Sequence, residues 1–486
     1  MAAALRLTDL MRATHAIGNA PDSIEITGLT ADSRAVLPGY LFAALPGGKV
    51  SGVDFIADAE SLGAAAVLAP VGTAKPGIPL IESAQPRRLF AQMAAAFYDR
   101  QPETVVAVTG TSGKSSTVAF ARQIWAGLGK SSASIGTVGI DSDPIQRYGA
   151  LTTADPAQLH ADLAALADAG VTCAAMEASS HGLDQFRLDG VTLKAAGFTS
   201  FGRDHLDYHA TTGSYFEAKL RLFTEVLAPD GVAVLNADIP EYARLAEAAK
   251  AAGHRVISYG VHGHDLRIEN RTATATGQSV TLRIDGVSRE IAFPLAGAFQ
   301  LMNALCALGL VMASGDENAD RLIAALEALH GVRGRLEHVA TLANGASIYV
   351  DYAHKPDALV AILEALRPHA QRLVVAFGCG GDRDPGKRPL MGEIAARLAD
   401  IVIVTDDNPR SEDPAAIRAA VMAGAPGALE IGDRAEAIAA GIKSLQPGDI
   451  FVIAGKGHEQ GQIIGDTIRP FDDATVARQA VAEMTR

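Results

Sequence analysis

Eight residues carry the sharpest chemical signal in this chain. Thr109 to Ser116 read TGTSGKSS, directly after the apolar run Val105–Val108 and before a helical pattern. Gly110 and Gly113 let backbone N–H groups approach phosphate oxygens, a helix N-terminus adds a favourable dipole, and Lys114 brings a positive charge. Ser115 can ligate a magnesium ion that bridges the outer phosphates. Val108 stands where the full phosphate-loop pattern has its first glycine, so the alternative is a glycine-rich turn with a surface lysine.

Glu177 ends a later apolar run in MEASSHGLDQFRLDG, where a carboxylate can face the phosphate loop and hold the same hard cation. Ser179, Ser180, His181, Gln185 and Arg187 follow as a donor-rich stretch suited to an anionic or sugar ligand; a helix cap with a packed histidine explains them equally well. GRDHLDYHATTGSYFEAKLRLF holds His205, Asp207, His209 and Lys219. Two histidines four apart invite a zinc reading, but no third ligand has the spacing and HExxH is absent, so magnesium or packing is expected. Lys219, beside Arg221 on a helix, reads on its own as a solvated face.

Asn303 lies in the apolar helix GAFQLMNALCALG, where a buried amide needs partners: an adenine edge, or neighbouring backbone. Arg335, in GRLE, can close over phosphate. Asp351 and His354 follow a strand end. GCGGDRD, TDDNPR and AGKGHE bring Arg383, Asn408, Arg410, Gly455 and Glu459 to strand ends. Two arginines suit carboxylates and Glu459 suits an ammonium, which describes a pocket for an amino acid. Surface ion pairing is the alternative.

The elements that must position these residues follow from the pattern. Strands are expected at Val105–Val108, Val171–Met176, Ala195–Thr199 and Val232–Leu235, separated by helical stretches, which is α/β with mostly parallel pairing. Residues 265–294 alternate at period two and carry Asp-Gly, so antiparallel hairpins appended to the central domain are expected there. Strands at Ser347–Val350, Leu373–Phe377, Ile401–Val404 and Phe451–Ala454 form a further doubly wound unit. TGTSGKSS, EASSH, DYAHKP, FGCGGDRDPGKRP, TDDNPR and AGKGHE each follow an apolar strand, and open α/β sheets bind ligands beyond the carboxyl ends of their strands.

The 486 residues suggest about three domains. A net charge of −13 argues against a general nucleic-acid or anionic-membrane binder, which would need a dominant basic face. Cys173, Cys306 and Cys379 are odd in number and widely spaced, so neither a disulfide framework nor a zinc site is expected. No apolar run is long enough to span a bilayer, and the start lacks a signal-peptide pattern, so the cytoplasm is the expected location and membrane insertion is not.

Taken in order, TGTSGKSS, EASSHGL, GRDHLDYH, the lysine of FEAKL, GRLE, DYAHKPDAL, GCGGDRDPGKRPLM, TDDNPR and AGKGHE resemble the motifs of Mur ligases, and LTADSRAVLPGYLFAAL is similar to the UDP-binding N-terminal domain of members that add the third peptide residue. The resemblance runs from about residue 25 to 475. It implies an α/β protein of three domains: 1–101 binding the UDP substrate, 102–334 a P-loop-type ATPase domain with a mostly parallel sheet, and 335–486 a Rossmann-like amino-acid-binding domain. It also implies an ATP- and Mg²⁺-dependent amide ligation that joins meso-2,6-diaminopimelate to UDP-N-acetylmuramoyl-L-alanyl-D-glutamate, by a monomer, in peptidoglycan precursor synthesis.

Residue by residue, the resemblance assigns Gly110, Thr111, Ser112, Gly113, Lys114, Ser115 and Ser116 to the ATP phosphates. Asn303, Arg335 and Asp351 go to the rest of the nucleotide. Ser115, Glu177, His205 and a CO₂-carbamylated Lys219 are the implied magnesium ligands, with Lys114, Lys219, His205 and Arg335 catalytic. Ser33, Thr152, Thr153, Ser179, Gln185 and Arg187 would contact the UDP-muramoyl peptide. Arg383, Asp407, Asn408, Pro409, Arg410, Gly455 and Glu459 would hold diaminopimelate, Arg410 meeting the carboxylate that lysine lacks. The chain departs from the family pattern at Ser115 and Ser116 (commonly threonine), Arg333 (commonly proline) and Lys355 (commonly threonine). A folylpolyglutamate-synthase-like ligase would share the ATP core, but the DSR segment and TDDNPR weigh against it. A nucleotide-regulated binding protein is disfavoured by Glu177, Lys219 and His205.

Overall fold

The computed structural model describes residues 4–16, 21, 23–47, 50–149, 151–205, 208–274, 277–315 and 318–484. They group into two compact units, one of residues 1–267 with 304–322, the other of 268–303 with 323–486.

The first unit opens with a small parallel sheet of β1 (Gly28–Thr30), β2 (Tyr40–Ala43), β3 (Ala66–Pro70) and β4 (Leu80–Ser83), in that spatial order. Helix α1 (Pro86–Tyr98) covers it with Leu89, Phe90, Met93 and Phe97, and Asp99 ends the helix in the left-handed conformation (φ +44°). Pro86 at the first helical position suits its fixed φ and missing N–H.

A larger sheet follows. Its strands are β5 (Thr104–Thr109), β6 (Ser132–Gly136), β7 (Gly139–Ser142), β8 (Gln146–Arg147), β9 (Cys173–Glu177), β10 (Leu193–Phe198), β11 (Leu227–Asn236) and β12 (Arg255–Gly260), in the order β8-β7-β6-β9-β5-β10-β11-β12. β6 to β12 pair in parallel apart from the β6-β7-β8 ribbon, which is antiparallel. β5 is almost wholly buried, as TVVAVT should be when both sheet faces are covered. It lies between β9 and β10, strands the chain reaches after crossing from one side to the other. The loop after β5 therefore opens at a switch point, where ligands can reach backbone. Helix α2 (Lys114–Gly127) leaves that loop, α3 (Pro156–Asp168) is capped by Asp155 accepting from Ala157 N and Gln158 N, and α4 (Thr212–Arg221) starts with a Thr211–Ser214 capping box. Buried Asp189 fixes α1 and α4 together: Arg221 donates to both its oxygens at 2.7 and 2.8 Å, and Arg88 lies 3.0 Å away.

The second unit takes most of β13 (Leu266–Ala273), next to the antiparallel pair β14 (Gln278–Ile284) and β15 (Val287–Phe293), which turns at Asp285-Gly286 with both residues at positive φ. One of the expected hairpins is there, but it falls in this second unit rather than in the unit of the central strands, against the expectation. Helix α5 (Ala298–Ala313) begins in this unit. The unit's sheet runs β16-β17-β21-β18-β19-β20, with β16 (Glu337–Thr341), β17 (Ser347–Asp351), β18 (Leu373–Phe377), β19 (Ile401–Val404), β20 (Leu429–Glu430) and β21 (Ile450–Ala454). Only β16 is antiparallel. Alternate residues feed two cores: Val375, Phe377, Val404 and Val452 on one face, Val374, Ala376, Ile403 and Ile453 on the other. Burial on both faces is why these strands read as unbroken apolar runs. Helices α6 (Lys387–Leu398) and α7 (Arg434–Lys443) flank the sheet, and α8 (Asp473–Met484) closes it. No helix among the described residues is long and apolar enough to cross a membrane.

Candidate active site

In the first unit the phosphate loop is held from the neighbouring strand. Gly110 has φ +145°, and a Cβ there would come 2.0 Å from Thr199 Oγ1, so only glycine fits. Thr199 Oγ1 donates to Ser112 O at 2.6 Å, Ser112 N donates to Ser200 Oγ at 3.0 Å, and Thr111 N donates to Ser200 O at 2.8 Å. Gly113, with φ +89°, turns the chain into α2 and leaves its first N–H groups for a ligand. Lys114 Nζ donates to Gly110 O at 2.8 Å and Thr111 O at 3.0 Å, which keeps its ammonium over the loop.

Lys219 is not on a solvated face. It is 1% exposed, and its Nζ donates to Gly110 O at 2.8 Å and lies 4.5 Å from the Tyr215 ring centre. Arg221, two residues on, points elsewhere on the helix, to Asp189. Burial, with the Lys114 charge added, holds the Lys219 amine well below the usual lysine range, against a smaller opposing pull from Asp204. Tyr215 is pushed up to about 12 by burial and donates to or accepts from Thr111 Oγ1 at 3.2 Å. His205 packs against His181, ring centres 4.9 Å apart, and His181 also meets Tyr208 and His209. Asp207 lies outside the described residues.

Glu177 is 2% exposed at the end of β9, in register with Val108 at the end of β5. Its Oε1 accepts from Thr137 N at 2.8 Å and its Oε2 from Thr137 Oγ1 at 3.2 Å. A Cβ on Gly136 would come 2.1 Å from Glu177 Oε1. Thr153 links the carboxylate strand to the donor-rich stretch: its hydroxyl donates to Glu177 O at 2.9 Å and accepts from Ser179 N at 3.0 Å. Ser179 does cap a short helix, accepting from Gly182 N at 3.0 Å. Arg187 donates to Thr153 O and to Gln185 Oε1, both at 2.7 Å. Thr152 and Thr137 hydroxyls are 3.0 Å apart. Thr152, Thr153, Glu177, Gly136 and Arg147 line a cavity of about 290 Å³. Ser33 opens a 3₁₀ turn capped by Asp32, and no described hydrogen bond joins it to this group.

The second unit builds a separate cluster at the carboxyl ends of β17, β19 and β21. Asp351, 8% exposed, accepts from Leu336 N at 2.6 Å and Ala353 N at 2.7 Å; burial pushes it up to about 6 despite Arg335 nearby. The Arg335 guanidinium lies 4.8 Å from the centre of the Tyr352 ring. Asn303 donates to Gln300 Oε1 at 3.5 Å, and Gln300 Nε2 donates to Arg335 O at 3.1 Å, so the amide meets a side chain rather than local backbone. Arg333 pairs with Asp472 at 2.8 Å, which gives the departure from proline a partner.

Gly455, at φ +116°, approaches Asp407 so closely that a Cβ would lie 2.8 Å from its Oδ2. Asn408 Nδ2 donates to Glu459 Oε2 at 2.9 Å. Arg410, left-handed at φ +52°, donates through one guanidinium nitrogen to Gly381 O at 2.8 Å. Pro409 is buried between them. Arg383 is exposed and donates to Asp382 O at 3.2 Å, and its Cγ and Arg410 Nη1 both flank Gly380, 3.8 and 2.8 Å from where a Cβ there would stand. Motif reading passed over two cations here. Lys456 is fully buried and pairs with Glu459 at 3.0 Å, although it sits within AGKGHE. Arg434, also fully buried, grips both oxygens of Asp473 at 2.7 Å and donates to Ala454 O at 3.0 Å. Thr137 and Gln300 also join these clusters, and nothing in their local sequence marks them.

Models of three Mur ligase regions match in chain order: the Mur ligase family, catalytic domain, at 25–99; the Mur ligase middle domain at 108–311; and the Mur ligase, glutamate ligase domain, at 334–457. A protein of Rhizobium meliloti (strain 1021), named UDP-N-acetylmuramoyl-L-alanyl-D-glutamate–2,6-diaminopimelate ligase, is 54% identical over 94% of this chain and 95% of its own length. The chain belongs to the Mur ligase family. A protein of the same name from Caulobacter vibrioides is 52% identical over 94% of this Mur ligase and 95% of its own length. A solved structure with that name superposes with a TM-score of 0.74 at 32% identity, over the whole of both chains.

Proposed function

We propose that this Mur ligase joins meso-2,6-diaminopimelate to UDP-N-acetylmuramoyl-L-alanyl-D-glutamate at the expense of ATP. The observation that carries this reading is the turn of buried Asp407, Asn408 and Pro409 and half-buried Arg410 against Gly455 and Glu459: carboxylates for an ammonium beside a guanidinium for a carboxylate. The relatives' names support it. The division into parts at about 101 and 334 is supported by where the family matches fall, and the cytoplasm and a monomeric state remain part of this reading.

The residues present suit a magnesium ion. Ser115, in the first turn of α2, and Glu177, the last residue of β9, supply hard oxygen donors, and magnesium typically takes one or two protein oxygens, completing its shell with phosphate and water. His205 and a carbamylated Lys219 would serve a second ion; bound there, the metal would neutralise charge on the transferring phosphoryl group. Gly110 to Ser116 cradle the ATP phosphates, and Asn303, Arg335 and Asp351 meet the rest of the nucleotide. Ser33, Thr152, Thr153, Ser179, Gln185 and Arg187 orient the UDP substrate. A carboxylate of the D-glutamyl residue attacks the γ-phosphorus; the bond to the β–γ bridging oxygen breaks, ADP leaves and an acyl phosphate is formed. The deprotonated amine of diaminopimelate then attacks the acyl carbon, and the tetrahedral adduct loses the amine proton and expels phosphate to leave the amide. Lys114 and Arg335 stabilise the charge that moves onto oxygen.

Phosphate release from ATP, measured with the UDP-muramoyl dipeptide and diaminopimelate, lysine or glutamate in turn, tests this. Release is expected with diaminopimelate alone. Release with glutamate instead would favour a folylpolyglutamate-type ligase, and none with any acceptor would favour a binding protein.

A further inference from the structure

Lys456 has no contact with solvent, yet it sits at the centre of the expected acceptor pocket. Its Nζ donates to Asn408 Oδ1 and to Glu459 Oε2, each at 3.0 Å, and lies 4.0 Å from Asp407 Oδ1. Asn408 closes the triangle by donating from Nδ2 to the same Glu459 Oε2 at 2.9 Å. Ile463 N donates to Asn408 Oδ1 at 2.9 Å, so that oxygen accepts two hydrogen bonds and the amide has one orientation only. Glu459 is the outermost member, with its side chain 32% exposed. Its Oε2 is used twice, and among the described residues its Oε1 accepts nothing.

We propose that Lys456 is a positioning residue for the acceptor amino acid, locking Asn408 and Glu459 in the arrangement that turns Glu459 Oε1 towards an incoming ammonium group. The inference rests on the amino-acid-adding function proposed above. Fully covered, Lys456 does not itself touch the ligand. Its ammonium offsets charge on the two carboxylates that face it, Asp407 and Glu459; Arg434, whose charge also acts on both, has its hydrogen bonds on Asp473 and backbone and none on Asn408 or Glu459. Without that ammonium the Asn408 amide loses one of two donors to its oxygen, and Glu459 Oε2 loses one of the two donors that fix its rotamer. The two carboxylates then repel with less to offset them, and the more exposed one, Glu459, swings away into water.

The test is steady-state kinetics on the full chain with each of the three substrates varied in turn. K456M should raise KM for diaminopimelate about tenfold or more, with KM for ATP and for the UDP-muramoyl dipeptide within about twofold and kcat at saturating acceptor within about threefold. K456Q, which keeps an N–H donor, should fall between K456M and the parent, and carries the same comparison if K456M does not fold. K456M combined with E459Q should cost no more than E459Q alone, because both act through one carboxylate. An unchanged or lowered KM for diaminopimelate, a parallel rise in all three KM values, or an additive double variant would overturn the proposal. A parent enzyme active on diaminopimelate with a kinetically normal K456M sinks this inference alone; a parent inactive on diaminopimelate sinks the functional reading as well.

Discussion

Lys114 and Lys219 donate to one acceptor, the carbonyl oxygen of Gly110, each at 2.8 Å. The two ammonium groups come from the start of α2 and the last turn of α4, and the second is buried. A like charge and lost hydration act on Lys219 in the same direction, favouring the free amine. Only the free amine reacts with CO₂. Isotope-labelled bicarbonate should therefore enter the protein near neutral pH, and the label should vanish in K219A. Turnover by K219A should fall about 100-fold or more, as when a group aimed at developing charge is lost. Label retained in K219A would place the modification on another residue.

Arg410 is held at a left-handed backbone position with one guanidinium nitrogen on Gly381 O. On the function proposed above, its other guanidinium edge would pair with the distal carboxylate of the acceptor in a charge-assisted bond, worth up to ~3 kcal/mol. R410A should lose about 100-fold in kcat/KM for diaminopimelate while gaining nothing with lysine, so the ratio between the two acceptors narrows. Competition between the acceptors, read by product mass, checks this; an unchanged ratio would refute the role.

Arg434 and Asp473 are each completely buried, and each satisfies the other bidentately. Removing one partner leaves a buried, uncompensated charge. R434M should destabilise the fold by about 3–5 kcal/mol, whereas R434M with D473L should recover much of that loss. Chemical denaturation of the three proteins decides it, and a double variant no better than R434M would show that the backbone bonds to Ala454 and Asp406 matter more than the charge.

His160 and His354 are both held down to about 4, chiefly by burial, with the Lys387, Lys355 and Arg335 charges adding to the effect at His354. A folded-state value below the unfolded one means stability is fully present above the ordinary histidine value of 6.5 and is lost as pH falls towards 4. Each group accounts for on the order of 3 kcal/mol over that window. Asp351, raised to about 6 by burial, acts in the opposite sense: its contribution is present below the unfolded value of 3.8 and is lost as pH rises through 6. Melting temperatures read at steps from pH 7.5 to 4.5 should fall for the parent and fall less for H160Q. A parallel decline in both would exclude His160 as a source of acid sensitivity.

Much of this was legible in the chain itself. VVAV, LVVAF and IFVIA declare strands because both faces of their sheets are buried, and TGTSGK after such a run leaves little choice of local structure. β6 and β12 were harder, since SASIG and RVISYG mix serine and glycine into short strands. The antiparallel strands β14 and β15 were visible through their period of two. Lys219 and Arg221 are indistinguishable locally; what buries Lys219 is a carbonyl 109 residues earlier. Lys456 was hidden for the same reason, its partner Asn408 lying 48 residues back. Arg383 shows the converse, a motif residue that the fold leaves exposed.

The Arg434 side chain binds backbone or carboxylate at 406, 454 and 473, stitching the ends of two pocket strands to the start of α8. The counter-charge it needs is translated 39 residues after it. While a nascent chain is still on the ribosome, the acceptor pocket can therefore be spelled out in full and yet remain without its keystone.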